Sequence, residues 1–587
     1  MSKSSLKLFS AVPASDKNQD DFHFFSQYGV VVDGSALHEL DTVGEYLREE
    51  ELSGNQLNQT FHKSWQKVAQ ASPAQLMIEQ VVHYLSTYGL AAIGLYSDDT
   101  IYIPGEALDV PVSIPLKVIK GLPAEQLRDR ALSMLQSGTA LEQETIEDLL
   151  AVLDECGYRF TGEEMVKNKE AQAIIADRTG VLPRGDDLLR YLVYKSTGST
   201  LLIKNEATFA AIQESGITLP ELKGSDLVAL AQSFNRYKPI WLSFKKADRA
   251  NASLINKIAK LSIQHHRPLP KDVLSNLTNT EYSKAEVEDA IANADTSRLV
   301  RAINAVRFYQ QDPENRFYSI RNGKGWAQRK SISQETRDLL SWYEEQLREA
   351  LQGRVRVSDV FLPDHVDYAV PTSEKQYVGN IPAGTQVSIS QSEEHFLVGI
   401  YWEGSQVDLD LRADSVEGSI GWNADYRNQG RTLMFSGDIT SAPNGAAEWV
   451  YAQAIDAVYL IKVNLFSGPI EHPFQIIAGY GSDIEKNHMA DPNKVLFQAD
   501  AQMTQREMTI GVLEPTEAGV NFYLCGQGTG EKRVGGGGML SDIIRLSLVN
   551  QYRTKLRLSE LVTVREDSTL DLSPDKLDKD SISSLFG

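Results

Sequence analysis

Cysteine is nearly absent: Cys156 and Cys525 are the only two in 587 residues. Two thiols exclude a four-cysteine zinc site and a disulfide framework, and they fit a reducing, cytoplasmic setting. Long apolar runs are missing too. None approaches the ~18 residues of a membrane-spanning helix. Positive charge is in deficit, with 58 Lys and Arg against 79 Asp and Glu, a net charge of −21. That disfavours generic attraction to nucleic acid or to anionic membranes, and leaves room only for a local basic patch. Catalytic signatures are also lacking. There is no HExxH, no GxSxG, no Walker loop and no Cys–His nucleophile context. The glycines of 526–530 and 535–538 are not followed by Gly-Lys-Ser/Thr, so they are read as turns and linker. His265-His266 is the only histidine pair, and it has no partner ligands at metal spacing. These absences point to a binding protein rather than an enzyme.

What is present divides the chain. A length of 587 residues calls for two to four domains. Residues 1–20 are too polar and interrupted for a signal peptide and read as a disordered tail. Residues 21–353 read as an irregular helical domain. Ser72-Pro73-Ala74-Gln75 and Ser283-Lys284-Ala285-Glu286 are capping boxes, the latter opening a helix that runs to Tyr309. Thr145 to Cys156 and Asp186 to Ser196 are helical, with Gly157 and Gly198 as stops. Ser331 to Gln334 opens a further helix whose Leu339, Tyr343, Leu347 and Leu351 share a face. Ile93 to Ile119 is rich in β-branched residues and proline and reads as a small hairpin insertion.

After Gly353 the pattern changes to short strands separated by turns, as in Gln386 to Ser390, Phe396 to Ile400, Val458 to Leu465, Phe474 to Ala478, Met508 to Val512 and Val520 to Cys525. Residues 354–565 therefore read as a β-sandwich with a helical extension from Met539 to Leu561. Residues 566–587 read as a mobile acidic tail in which Ile582, Leu585 and Phe586 form a short docking element. The fold class expected is α+β and multidomain, helical first and β second.

One window is basic. Arg298, Arg301, Arg307, Arg316, Arg321, Lys324, Arg329 and Lys330 are interleaved with Phe308, Tyr309, Phe317, Tyr318 and Trp326. Two readings fit. Arg316, Arg321, Lys324, Trp326 and Arg329 suit phosphate neutralisation and base stacking, the mark of an RNA-binding or scaffold protein. Alternatively, Asn322-Gly323 turns a structural hairpin between FYSI and GWAQ. The hairpin is the favoured expectation.

The stretch from Ser405 to Glu448 carries the chemistry. Val407 to Leu411 alternates apolar and acidic residues, so Asp408 and Asp410 share one face of a strand. Ser436-Gly437-Asp438 and Asn444-Gly445 are turn sequences that place Asp438 and Asn444 in a loop, followed by Glu448. Asp408, Asp410, Asp438, Asn444 and Glu448 form an all-oxygen set, of the kind a hard cation wants. An acidic strand face exposed to water is the plain alternative.

VDLD at 407–410, SGDITSAPNGAAE at 436–448, KVNLFSG at 462–468 and HPFQII at 472–477 resemble the tellurite-resistance TerD-like family. The resemblance covers Phe396 to Cys525. It implies a cytoplasmic β-sandwich that binds calcium and serves a bacterial stress response, through protein partners it does not name. The family's Gly-Asp-Asn is Gly437-Asp438-Ile439 here, and its later acidic run is reduced to Asn444 and Glu448. One calcium ion is therefore expected.

Overall fold

The computed structural model describes residues 3–586 except 16–20, 26–27, 29, 51–116, 162–165, 223, 268–271, 280–281, 321–323, 358, 391–394, 405, 416–417, 423, 429, 431, 441, 453–454, 456, 482–494, 518 and 529–541. It divides into two compact units. One comprises Met1, Leu6–Leu122 and Val273–Gly587; the other comprises Ser2–Ser5 and Pro123–Asp272. The division therefore does not fall at Gly353.

The chain opens with α1 (Lys3–Phe9) and β1 (Ala11–Pro13), followed by β2 (Phe22–Phe25), β3 (Val30–Asp33) and α2 (Leu40–Glu50). With β4 (Lys117–Leu122) the strands form a sheet of order β1-β4-β3-β2. Leu6, Val12, Val30, Val32, Val43, Leu47 and Ile119 form its core. This corrects two expectations. Residues 3–13 are not a disordered tail, because Leu6, Leu8, Phe9 and Val12 are buried. The segment after residue 21 is not purely helical, because the β-branched run Val30 to Val32 pairs as a strand. The helix expected at Ser72 and most of the hairpin expected at 93–119 lie outside the described residues; Lys117 to Ile119 begin β4.

The second unit is helical. Its elements are α3 (Ala124–Gln136), α4 (Gln143–Glu155), α5 (Lys169–Thr179), α6 (Asp186–Thr197), α7 (Glu206–Glu214), α8 (Gly224–Ser233), α9 (Lys238–Ala247) and α10 (Asn251–His265). The stops at Gly157 and Gly198 are where the sequence puts them, with φ of +70° and +71°, which glycine adopts without a Cβ penalty. Leu188, Leu192, Ile240, Trp241, Phe244, Ile255 and Ile258 meet in one core.

The first unit resumes with α11 (Val273–Asn276), α12 (Lys284–Ala292) and α13 (Thr296–Gln311). The capping box at Ser283 and Glu286 is present. The single helix expected to reach Tyr309 is two, because Asp295 caps a new start by accepting the N–H of Arg298. β5 (Asn315–Ile320) and β6 (Lys324–Arg329) form the expected hairpin, with Tyr318 opposite Trp326. Ser333 then caps α14 (Gln334–Gln352), whose buried stripe is Leu340, Tyr343, Leu347 and Leu351, with Leu339 half-buried.

Short strands β7 (Asp359–Val360), β8 (Val366–Asp367), β9 (Tyr377–Val378) and β10 (Ile381–Pro382) lead into the main sheets. These contain β11 (Gln386–Ser390), β12 (His395–Gly404), β13 (Asp408–Asp414), β14 (Ser419–Gly421), β15 (Leu433–Phe435), β16 (Ala442–Ala452), β17 (Tyr459–Ser467), β18 (Pro473–Gly481), β19 (Val495–Gln502), β20 (Glu507–Thr516) and β21 (Gly519–Gly528). One sheet runs β14-β13-β17-β20-β21-β11-β8, with the β5–β6 hairpin attached through β21; the other runs β15-β16-β12-β18-β19. Leu409, Leu411, Ile461 and Val463 from the first and Val398, Ile400, Val450 and Ile476 from the second belong to one core. Leu299, Ile303, Leu347 and Leu351 from α13 and α14 join it. That shared burial is why no boundary forms at Gly353.

The C-terminal segment has α15 (Asp542–Arg553) and β22 (Thr563–Val564), the latter pairing with β7. Beyond it, Leu572, Leu577, Ile582, Leu585 and Phe586 are buried. Phe586 bridges to Val355, and Arg356 N–H donates to the Leu585 carbonyl at 2.8 Å. Residues 566–586 are therefore packed rather than a mobile tail, since five apolar side chains repay their ordering. Leu585→Ala is expected to cost about 2–5 kcal/mol, the range for emptying a buried leucine site. Urea unfolding followed by circular dichroism measures it; an unshifted transition contradicts the packing.

A candidate metal centre at the edge of strand β13

Strand β13 has two unlike faces. Leu409, Leu411 and Ala413 enter the inter-sheet core. Period two then sends Asp408, Asp410, Arg412 and Asp414 to the other side. The neighbour β17 runs antiparallel, with Asp410 opposite Asn464 and Arg412 opposite Lys462. Directly opposed residues have Cβ atoms about 4.5–5.5 Å apart, so these side chains are neighbours.

The two ends of this polar row are satisfied differently. Asp414 is buried, but Arg412 Nε donates to its Oδ1 at 2.5 Å and Lys462 Nζ lies 3.0 Å from its Oδ2. Lys462 also reaches Glu507 Oε1 at 3.2 Å. Burial pushes the Asp414 pKa up, but Lys462, Arg412 and the Ser419 hydroxyl together bring it below the ordinary value. Asp408 and Asp410 have no such partner among the described residues. Asp410 is 2 % exposed, and burial, then the charges of Asp408 and Asp438, push its pKa up to about 8. Asp408 is shifted upward as well, by burial and then by Asp438.

Asp438 lies between β15 and β16 and is exposed. One carboxylate oxygen from each of Asp408, Asp410 and Asp438 falls within 4.8 Å of the others. Among the described residues, Asp408 Oδ1, Asp410 Oδ2 and both amide atoms of the fully buried Asn464 make no hydrogen bond. Four buried polar atoms without partners, next to three converging carboxylates, are a strong departure from the usual pairing of buried polar groups.

Glu448 has a different place from the one its chemistry suggested. It is fully buried on β16, and its Oε2 accepts the Leu411 N–H at 2.7 Å while its Oε1 accepts the Ile439 N–H at 2.9 Å. Leu411 follows Asp410, and Ile439 follows Asp438. Glu448 thus ties the acidic strand to the acidic loop and is not one of the three converging carboxylates. Burial pushes its pKa well up, against the two N–H bonds that favour its charged form. Asn444, expected in the loop, lies within β16, and its side chain is outside the described set.

Asn464 was not singled out from the sequence. The signal was there: in Leu460 to Leu465 the polar side chains are Lys462 and Asn464, two apart, in a stretch that is otherwise apolar. Polar residues at that spacing in a buried strand need partners on one face.

Of the five residues expected to meet nucleic acid, Arg316 is used inside the protein. Arg316 is buried; its Nη1 donates to Thr278 Oγ1 and its Nη2 to the Thr278 carbonyl, both at 2.7 Å, and its guanidinium lies 4.5 Å from the centre of the Tyr309 ring. Arg307 is taken by Glu344 and Glu560. Arg329 is exposed, whereas Arg321 and the side chains of Lys324 and Trp326 lie outside the described residues.

In comparisons with protein-family models, curated proteins and solved structures, nothing matches this chain.

The Asp410 shift has a measurable consequence in chelator. Its folded pKa is about 8 against an ordinary 3.8, so unfolded chains release this proton first as pH rises. The cation-free fold is therefore expected to lose stability between about pH 4 and pH 8 on this group's account, with the full contribution present below pH 4. Asp410→Asn removes that slope and raises the metal-free melting temperature at pH 8. Melting curves of both proteins across this range test it; parallel pH profiles contradict it.

Proposed function

We propose that this chain is a calcium-binding protein of TerD-like type, acting by binding or scaffolding in a stress response. The observation that carries the proposal is the group of unpartnered buried oxygens on Asp408 and Asp410, beside Asp438 and the unpartnered amide of Asn464. Asp408, Asp410 and Asp438 supply carboxylate oxygens, and Asn464 supplies a neutral amide oxygen. Glu448 positions the strand and the loop that carry them. When bound, the cation neutralises carboxylates that otherwise repel one another. An all-oxygen set from a strand face and a loop suits calcium, which takes about 6–8 oxygens in adaptable geometry. Magnesium demands near-octahedral geometry and gives up water reluctantly, so it suits the site less. The tellurite-resistance assignment rests on the resemblance of VDLD, SGD and VNLFSG and on the location of the acidic cluster within them. The cytoplasmic assignment rests on two free cysteines. The arginine-rich reading is set aside because Arg316 is used internally.

Calcium is expected to stabilise the full-length chain by about 2.7 kcal/mol at a hundredfold excess over its Kd, by mass action. Magnesium gives a smaller shift. Asp438→Ala, at an exposed position, abolishes the calcium shift and leaves the chelated protein folded. Scanning fluorimetry with calcium, magnesium and chelator measures all three. Identical midpoints in calcium and chelator contradict the proposal.

A further inference from the structure

The helical unit carries a surface opposite in sign to the rest of the chain. From Arg236 to Arg267 there are eight Lys and Arg and a single acid, Asp248, in a protein of net charge −21. Asp248 is itself occupied, accepting from Thr218 Oγ1 at 2.5 Å and from the Ala250 N–H at 2.9 Å.

Packing turns the lysines of α9 and α10 away from the core. Helix α9 buries Ile240, Trp241 and Phe244, and α10 buries Ile255 and Ile258, all in the core of the helical unit. Helical spacing then turns Lys238, Leu242, Lys245 and Lys246 outward on α9, and Lys257, Lys260 and Ile263 outward on α10. Lys245 Nζ donates to Asn256 Oδ1 at 2.8 Å, which sets the two outward stripes side by side. Lys238, Lys246, Arg249, Lys257, Lys260 and Arg267 are exposed and have no ion pair among the described residues. Among these charges, Ile263 is 84 % exposed and Leu242 is 42 % exposed.

We propose that this face docks on an anionic phospholipid surface. The charge is complementary, and juxtaposed lysines attract acidic headgroups without needing fixed geometry. The apolar side chains decide between lipid and nucleic acid. Base stacking needs exposed aromatic rings, and here Trp241 and Phe244 are buried while the exposed apolar groups are aliphatic. An aliphatic chain held among lysines matches the interfacial zone of a bilayer, where it inserts beneath the headgroups. Neither helix spans: among the described residues no helix is long and apolar enough to cross a membrane. The docking is peripheral.

The test is flotation of the full-length chain with phosphatidylcholine vesicles and with phosphatidylcholine/phosphatidylserine vesicles. Chelator is present throughout, so that no cation bridge at Asp408, Asp410 and Asp438 contributes. The protein is expected to float with the phosphatidylserine vesicles only, and to be released by raised salt. Lys257→Glu/Lys260→Glu is expected to lower the partition coefficient at least about tenfold. Ile263→Ser is expected to lower it severalfold with charge unchanged, which purely electrostatic adsorption does not do. All three positions are exposed, so the variants fold. Absence of flotation, equal flotation with both vesicles, or flotation indifferent to these substitutions overturns the proposal. Retention of mixed-sequence RNA or single-stranded DNA on filters, lost in the double variant while vesicles do not bind, overturns it in favour of nucleic acid.

Discussion

Strand β13 buries Leu409, Leu411 and Ala413 between two sheets only by turning Asp408 and Asp410 to the opposite face. On the apolar side, each fully buried leucine contributes about 1.5–3 kcal/mol. The strand cannot slip by one residue to relieve the aspartates, because that would expose the leucines and bury more charge. Burial of Leu409 and Leu411 thus fixes the acidic pair in place, and the rest of the site follows from it. β17 must set Asn464 opposite Asp410, and the loop after β15 must bring Asp438 alongside.

The same sheet face shows two ways of handling a buried carboxylate. At Asp414 the protein supplies its own cations, Arg412 and Lys462, and the carboxyl stays ionised. At Asp408 and Asp410 it supplies none. A buried carboxylate without a cation takes up a proton or waits for a metal. Glu448 shows a third way, in which two backbone N–H groups occupy both oxygens. The four acids Asp408, Asp410, Asp414 and Glu448 on β13 and β16 are therefore separable by partner alone: one structural ion pair, one backbone brace, and one pair left for something from outside.

Charge is distributed as unevenly across the chain as along that strand. A protein of net charge −21 gathers on α9 and α10 a lysine stripe without ion pairs among the described residues. In the arginine-rich window at 298–330, by contrast, two arginines serve internal contacts, Arg316 on Thr278 and Arg307 on two glutamates. Density of positive charge in sequence did not foretell the burial of Arg316. Arginine is well suited to internal forks with carboxylates and carbonyls, while lysines at helical spacing opposite a buried stripe stay in water.

Periodicity and turn chemistry by themselves determined a good deal. The capping box at Ser283, the stops at Gly157 and Gly198, the hairpin of β5 and β6, and the strands from Gln386 to Cys525 are where local residues put them, because caps, left-handed glycines and alternation act within a few residues. The same alternation put Asp408 and Asp410 on one face. Tertiary structure decided what local rules do not reach. Asp295 broke a long helix by offering a second cap. The N-terminal residues and residues 566–586 were ordered by burial of leucines, isoleucine and phenylalanine that look unremarkable in sequence. The boundary at Gly353 dissolved because α14 shares a core with the sheets. Asn464 joined the acidic site, and Glu448 became its brace, through pairings across 54 and 37 residues of chain. Such pairings depend on which strands lie side by side, and that is settled only when the two sheets close over their common core.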